Sequence, residues 1–233
     1  MKRFFEVATK IVDGKKLTRL NEETGQEEVV KWDVADECLP AYKTEHSVGA
    51  DFCAVEDTVI PSIWSSMVSG FVRNGESVAG WLGELIKNGG KSDTSVAEEI
   101  KKNNQNAFKP TLVHTGIKVK MPENEVLEIY NRSSGPMKGL VLANSVGIID
   151  PDYYNNTKND GEIMFAFYNF MPFDITIKKG EAIGQGIFKE FIRADKVVNK
   201  FGEELDVSIG GERKSGFGST DEKEEQVKLG KDE

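Results

Sequence analysis

Cysteine and histidine are scarce in this chain, with two of each among 233 residues. Cys38 and Cys53 lack a CxxC spacing, and His46 and His114 stand apart, so neither a zinc site nor a disulfide framework is expected. An excess of positive charge is missing too, since 30 Lys and Arg face 39 Asp and Glu for a formal net charge of -9. A general nucleic-acid surface needs clustered cations with few acids among them, so no nucleic-acid partner is expected; a small polyanionic ligand would need a local basic site. No apolar run reaches membrane length, and the opening "MKRFFEVATKIVDG" alternates with polar residues instead of forming a signal-peptide core. These absences lead us to expect a cytoplasmic protein with no membrane partner.

What the chain does have is enough apolar content, 38%, to bury a core. Strand-like alternation runs through "RFFEVATKIV" and "VVKWDV", with a charged turn around "NEETGQEE" between them, which predicts a hairpin. From residue 57 the period changes. Ile60, Ile63, Trp64, Met67, Val68 and Phe71 recur at helical spacing, as do Val78, Trp81, Leu82, Leu85 and Ile86. Short strands separated by Gly, Pro, Asn and Asp return from "TLVHTGIKVKM" to "FKEFIRADKV", and the tail "DEKEEQVKLGKDE" holds too little apolar surface to order itself. The expected organisation is an N-terminal hairpin extension and the start of a β core over 1–56, a helical insertion over 57–108, the remainder of the core over 109–208, and a flexible arm and tail over 209–233.

The stretch "GIIDPDYYNN" sets a carboxylate, Asp150, after a β-branched pair and before Pro-Asp-Tyr-Tyr. Pro151 restrains Asp150 to extended geometry, and the Asp and Asn residues beyond it suit a turn, so Asp150 could merely cap a hairpin. Alternatively, a short rigid hairpin carries Asp150 and Tyr153 at a fixed spacing so that both meet one small ligand. Local geometry leaves both readings open.

Five separated motifs bear on the choice: "LPAYKTEHSVGADFCA" (39–54), "NRSSG" (131–135), "LANSVGIIDPDYY" (142–154), "GEAIGQGIF" (180–188) and "RKSGFGST" (213–220). In this order they resemble the trimeric, all-β deoxyuridine triphosphatases (dUTPases). The resemblance implies a mainly β fold, a jelly roll or distorted barrel carrying the helical segment as an insertion, and hydrolysis of dUTP to dUMP and diphosphate. It implies that Asp150 activates the water that attacks the α-phosphorus, with Ser133 beside it in catalysis. A carboxylate suits that task because it is ionised at neutral pH and accepts a water proton. The hairpin from Asn144 through Gly147 to Tyr153 would read the base, with Tyr153 lying against the sugar. Arg132, Ser133, Ser134, Gln185 and Arg213 would hold phosphates. Phe217 would stack on uracil, with Gly218, Ser219 and Thr220 closing over the phosphates. Mg²⁺ would ride on the triphosphate and be reached by Asp51 through water. The implied assembly is a homotrimer with sites shared between subunits.

Departures are also visible. Asn131 stands where the family usually has proline or glycine, Arg213 is one residue closer to Phe217, and Asp221 replaces a glycine. "YNNTKND" lengthens the tip after Tyr153 and reads as a solvent loop. The insertion is where a protein partner would bind, by analogy alone. Two other functions share these features: a dCTP deaminase of the same fold, and a regulatory protein-binding module that uses its nucleotide site as a switch.

Overall fold

The computed structural model describes residues 2–12, 15–21, 26–65 and 109–207. The strands before the insertion are β1 (Phe4–Val7), β2 (Ile11–Val12), β3 (Lys15–Lys16), β4 (Thr18–Leu20), β5 (Glu27–Val29), β6 (Ala50–Cys53) and β7 (Thr58–Ile60). After it come β8 (Thr111–His114), β9 (Ile117–Lys120), β10 (Glu125–Asn131), β11 (Leu140–Leu142), β12 (Val146–Ile149), β13 (Met164–Asn169), β14 (Ile175–Ile177), β15 (Ala182–Glu190), β16 (Lys196–Val198) and β17 (Glu204–Asp206). A single-turn helix, α1 (Ser134–Met137), lies between β10 and β11.

Two sheets make the body. One has the order β12-β10-β15-β6 and the other β11-β13-β8. Alternation along β13 sends Phe165 and Phe167 inward, and they meet Phe52 of β6, Leu127 and Ile129 of β10, and Leu140 and Leu142 of β11 in one buried cluster. The Phe165 ring lies 5.8 Å from Phe52 and 6.2 Å from Phe167 between centroids. Full burial of such side chains contributes about 1.5–3 kcal/mol each, and Phe165→Ala would cost about 3–5 kcal/mol because the cavity could not collapse. The mainly β fold expected from the motifs is therefore present.

Three features differ from the sequence pattern. First, β1 does not stay with the N-terminal hairpin but pairs with β9, Phe5 opposite Val119, and so belongs to the core. Of the expected pairing between 3–12 and 29–34, the antiparallel bridge of Thr9 to Lys31 is present, with the additional short pairs β2 against β3 and β4 against β5 between them. Second, the strand β7 pairs with β14 inside the region predicted as helical insertion, and Ile60 is 1% exposed. Pro61 separates this strand from helical backbone that starts at Ile63, so residues 58–60 are strand where the sequence pattern predicts helix. Residues 66–108 of the expected insertion lie outside the described residues. Third, the segment from Asn144 to Tyr153 is not a self-paired hairpin. β11 pairs with β13 and β12 with β10, so the chain passes from one sheet to the other at a corner where Ser145 adopts φ 59°.

Candidate functional site

The sheet register brings the first, second and fourth motifs together. Asp51 on β6 pairs with Gln185 on β15, which pairs with Tyr130 on β10, one residue before Asn131 ends the strand. Arg132 and Ser133 follow directly. An open cleft of about 470 Å³ results, lined by Lys43, Ser47, Val48, Gly49, Asp51, Arg132, Ser133, Gln185 and Ile187. Asp51 is 9% exposed, and the Arg132 guanidinium lies 3.4 Å from its carboxylate. Gly49 lies against Gln185: a Cβ there would come within 2.6 Å of Oε1 and 3.2 Å of Cβ, so a side chain would have to turn the Gln185 amide out of its place in the cleft. Ser134 begins α1, whose turn exposes Ser133 to solvent, and it lines the smaller pocket on the other side of Arg132.

Lys43, Ser47, Val48 and Ile187 were not among the predicted site residues. Lys43 had a signal in the sequence: it is the one cation inside the first motif, two residues after Ala41, which bridges Asp51 through the Asp51 N–H to the Ala41 carbonyl at 3.0 Å. Beside this cleft, burial pushes the Cys53 thiol up to about 11, with Cys38 adding to the shift, so Cys53 stays a protonated packing residue.

The third motif occupies the opposite edge of the same sheet. Gly147 is buried against Ile129, where a Cβ would come within 2.4 Å of Cγ1, so only glycine lets β12 lie this close to β10. Asp150 is extended, φ -78° and ψ 157°, as Pro151 demands, and Pro151–Tyr153 forms a 3-10 turn. Its side chain makes no capping hydrogen bond to that 3-10 turn. Tyr153 is 5% exposed, and its hydroxyl donates to the Glu162 carbonyl at 3.0 Å while accepting from Asn159 Nδ2 at 2.7 Å. Asn144 is exposed at the corner.

Asp51, Gln185, Tyr130 and Val146 share one row across four strands, and Asp150 lies four residues beyond Val146. Three strand spacings and four residue rises put Asp150 about 20 Å from Asp51 within one chain. The chain thus brings Asp51, Arg132, Ser133 and Gln185 together and keeps Asp150 and Tyr153 apart from them. Arg213, Phe217, Gly218, Ser219 and Thr220 lie outside the described residues.

Among the described residues no group of three His, Cys, Asp or Glu side chains could cage a metal ion. A single carboxylate, Asp51, at the back of a solvent-open cleft fits a hydrated Mg²⁺ that arrives with phosphates, because Mg²⁺ keeps several waters and takes few protein ligands.

A local cationic cleft on a mainly β scaffold, in a chain acidic overall, is what binding a nucleotide polyphosphate requires. A family model described as dUTPase matches residues 94–220, more than half of the chain. The deoxyuridine 5'-triphosphate nucleotidohydrolase of Lactococcus lactis subsp. lactis (strain IL1403) is 47% identical over 110 residues, covering 47% of this chain and 68% of that protein. The protein of the same name from Hydrogenobaculum sp. (strain Y04AAS1) is 33% identical over 114 residues, 48% of this chain and 72% of its own length. A solved dUTPase from Streptococcus mutans is 30% identical and covers 70% of this chain and 94% of its own, with a TM-score of 0.48. The chain belongs to the dUTPase family. The matched span leaves out the first motif, yet β6 returns Asp51 to the cleft by pairing with β15.

Proposed function

We propose that the chain is a dUTP diphosphatase that hydrolyses dUTP to dUMP and diphosphate at sites built between copies of itself. Family membership supports the reaction and favours it over deamination of dCTP. The observation that carries the shared site is the separation of about 20 Å between Asp150 and the Asp51 cleft on opposite sheet edges. A carboxylate must lie within hydrogen-bond reach of the water it activates, so Asp150 serves a phosphate held in the cleft of a neighbouring chain. A closed homotrimer satisfies this three times over by symmetry.

In this reading the Arg132 fork and the Ser133 and Gln185 side chains hold phosphate oxygens, and Lys43 adds charge. Mg²⁺, when bound on the phosphates, supplies charge neutralisation for the departing diphosphate, and Asp51 is the residue that would hold it through water. β12 is an edge strand, and its outward main-chain groups meet no other strand among the described residues. They can match the N–H and C=O edge of uracil and leave no space for a thymine methyl group, while a cytosine amino group would present a donor where an acceptor is needed. Asp150 takes a proton from the attacking water. Tyr153 walls the sugar where a ribose would carry its 2′-hydroxyl.

The test uses two variants, Asp150→Asn and Arg132→Ala, each expected to keep at most about a tenth of wild-type activity alone, a background that is subtracted. In a closed three-fold ring, each mixed trimer holds one site with both residues intact. Random one-to-one assembly makes three-quarters of trimers mixed, so co-refolding should recover about a quarter of wild-type turnover per protomer. Mixing preformed trimers that do not exchange should recover nothing. If mixed trimers form, as sizing would show, and activity stays absent, the site is not shared in this way.

A further inference from the structure

The longer tip after Tyr153 is not a plain solvent loop, contrary to its polar sequence. Asn156 and Asp160 are 7% and 6% exposed. Asn156 Nδ2 donates to the Tyr153 carbonyl at 3.0 Å and to Asn159 Oδ1 at 2.6 Å, while its own Oδ1 accepts from the Lys158 and Asn159 amides at 3.0 and 3.1 Å. Asn159 is thereby aimed back at the Tyr153 hydroxyl and at the Glu162 carbonyl, 2.7 and 3.0 Å from its Nδ2. The tip has folded around the tyrosine that precedes it.

The far side of the tip is tied to the N-terminal segment. Asp160 Oδ2 accepts from the Thr9 amide at 2.8 Å and from Lys118 Nζ at 3.0 Å. Lys118, 6% exposed, also donates to Asn155 Oδ1 at 2.7 Å. Tyr154 donates to Glu6 Oε2 at 2.6 Å, with Lys118 and Lys120 over its ring at 4.9 and 5.1 Å. Burial works to raise the Asp160 carboxyl, but the Thr9 amide and Lys118 outweigh it and hold it below the usual carboxylate range. A buried lysine whose partners are all present is rigid, and removing one partner is costly because the remaining charge stays buried.

We propose that residues 155–160 and the N-terminal segment through Thr9 form a clamp that positions Tyr153 for discrimination between deoxyribose and ribose, with Asn159 as the positioning residue that contacts it and Asp160–Lys118 as the anchor. The inference rests on the reading that Tyr153 walls the sugar. A ring held by its hydroxyl and by its own carbonyl cannot swing aside to admit a 2′-hydroxyl. A ring released at one of these points can.

The experiment compares kcat/KM for dUTP and UTP in Asn159→Ala, Asp160→Asn, Tyr153→Phe and Tyr153→Ala. Tyr153→Ala should narrow the dUTP preference most. Asn159→Ala should narrow it by about tenfold, on the scale of one neutral hydrogen bond, chiefly by raising activity on UTP. In the Tyr153→Phe background, where Asn159 has no hydroxyl to hold, Asn159→Ala should change the ratio no further. Asp160→Asn, which keeps the shape of the anchor, should move the ratio the same way by a smaller factor and remains informative if Asn159→Ala does not fold. If Tyr153→Ala narrows the preference while Asn159→Ala and Asp160→Asn lower both substrates equally, the clamp is only structural and the inference is overturned. If Tyr153→Ala leaves the ratio unchanged, another residue reads the sugar, and the underlying reading falls together with the inference.

Discussion

The two edges of the four-stranded sheet are made of different material. Along β6, Lys43, Arg132, Ser133 and Gln185 line an open cleft, and the Arg132–Asp51 pair at 3.4 Å is loose. Along β12, Gly147 is pressed onto Ile129, Ser145 is held at φ 59°, and the Tyr153 hydroxyl is engaged as both donor and acceptor. Phosphate oxygens are charged and numerous, and charge-assisted contacts to them tolerate small displacements. Base and sugar differ from their rivals by one methyl, amino or hydroxyl group, which only a rigid shape can sense. One sheet therefore carries a soft electrostatic edge and a hard steric one.

The largest effect should come from the hard edge. Asp150→Asn keeps the shape and removes the base, so turnover should fall roughly 10²–10⁴-fold while dUTP binding, measured by calorimetry, persists. Undiminished turnover would remove Asp150 from the chemistry. At the soft edge, Arg132→Ala should lower kcat/KM about 10- to 100-fold, and Arg132→Lys should recover only part of it because an ammonium lacks the two-pronged fork. Full recovery with lysine would mean that charge alone suffices there.

Stability should separate the edges in the same sense. Gly147→Ala must displace Ile129 and should cost about 1–3 kcal/mol in urea unfolding. Val48→Ala at the cleft, where Val48 is 69% exposed, should stay within about 0.5 kcal/mol. Equal costs would erase the contrast.

The smallest effect concerns pH. The Glu162 carboxylate hydrogen-bonds His114 Nδ1 at 3.0 Å and raises the imidazole above its ordinary 6.5, against the opposing effect of burial. A raised folded value means the stabilisation is complete below the unfolded pKa and is lost as pH rises through the folded one. The Tm should therefore decline as pH climbs from about 6.5 through that higher value, and His114→Gln should flatten the decline.

Much of this was legible in the residues. The extended Asp150 follows from Pro151, and the cleft follows from motifs whose spacing survives a long interruption. What escaped notice needed long-range information. "TVIPSIW" carries apolar residues at helical spacing, and the proline that ends the strand inside it was the overlooked signal. β1 reads as a strand, but alternation names a face and not a partner, and β9 lies more than a hundred residues away. The tip 155–160 has the same polar composition whether solvated or folded. What separates the two cases is Lys118, the buried one of the two lysines in β9, whose burial depends on Asp160 meeting it.

The way Ser62 and Thr111 are held on one strand has a consequence for engineering. Ser62 bridges Asn169 on β13, and Thr111 pairs with Phe167 on the same strand, so the chain leaves and re-enters the core about 7 Å apart. Ser62 is fixed there by its amide to Asp174 at 2.9 Å and its hydroxyl to the Met171 carbonyl at 2.6 Å. β13 is thus a closed gate, and the core does not register the length of what hangs from it, since closing a longer loop adds little entropy cost once the ends already meet. The position should therefore act as a socket: replacing residues 66–108 by a few glycines should leave the core folded, as urea unfolding would show, provided that the cut spares β7 and Ser62. A cut at residue 57 would instead pull the partner strand off β14 and expose Ile60.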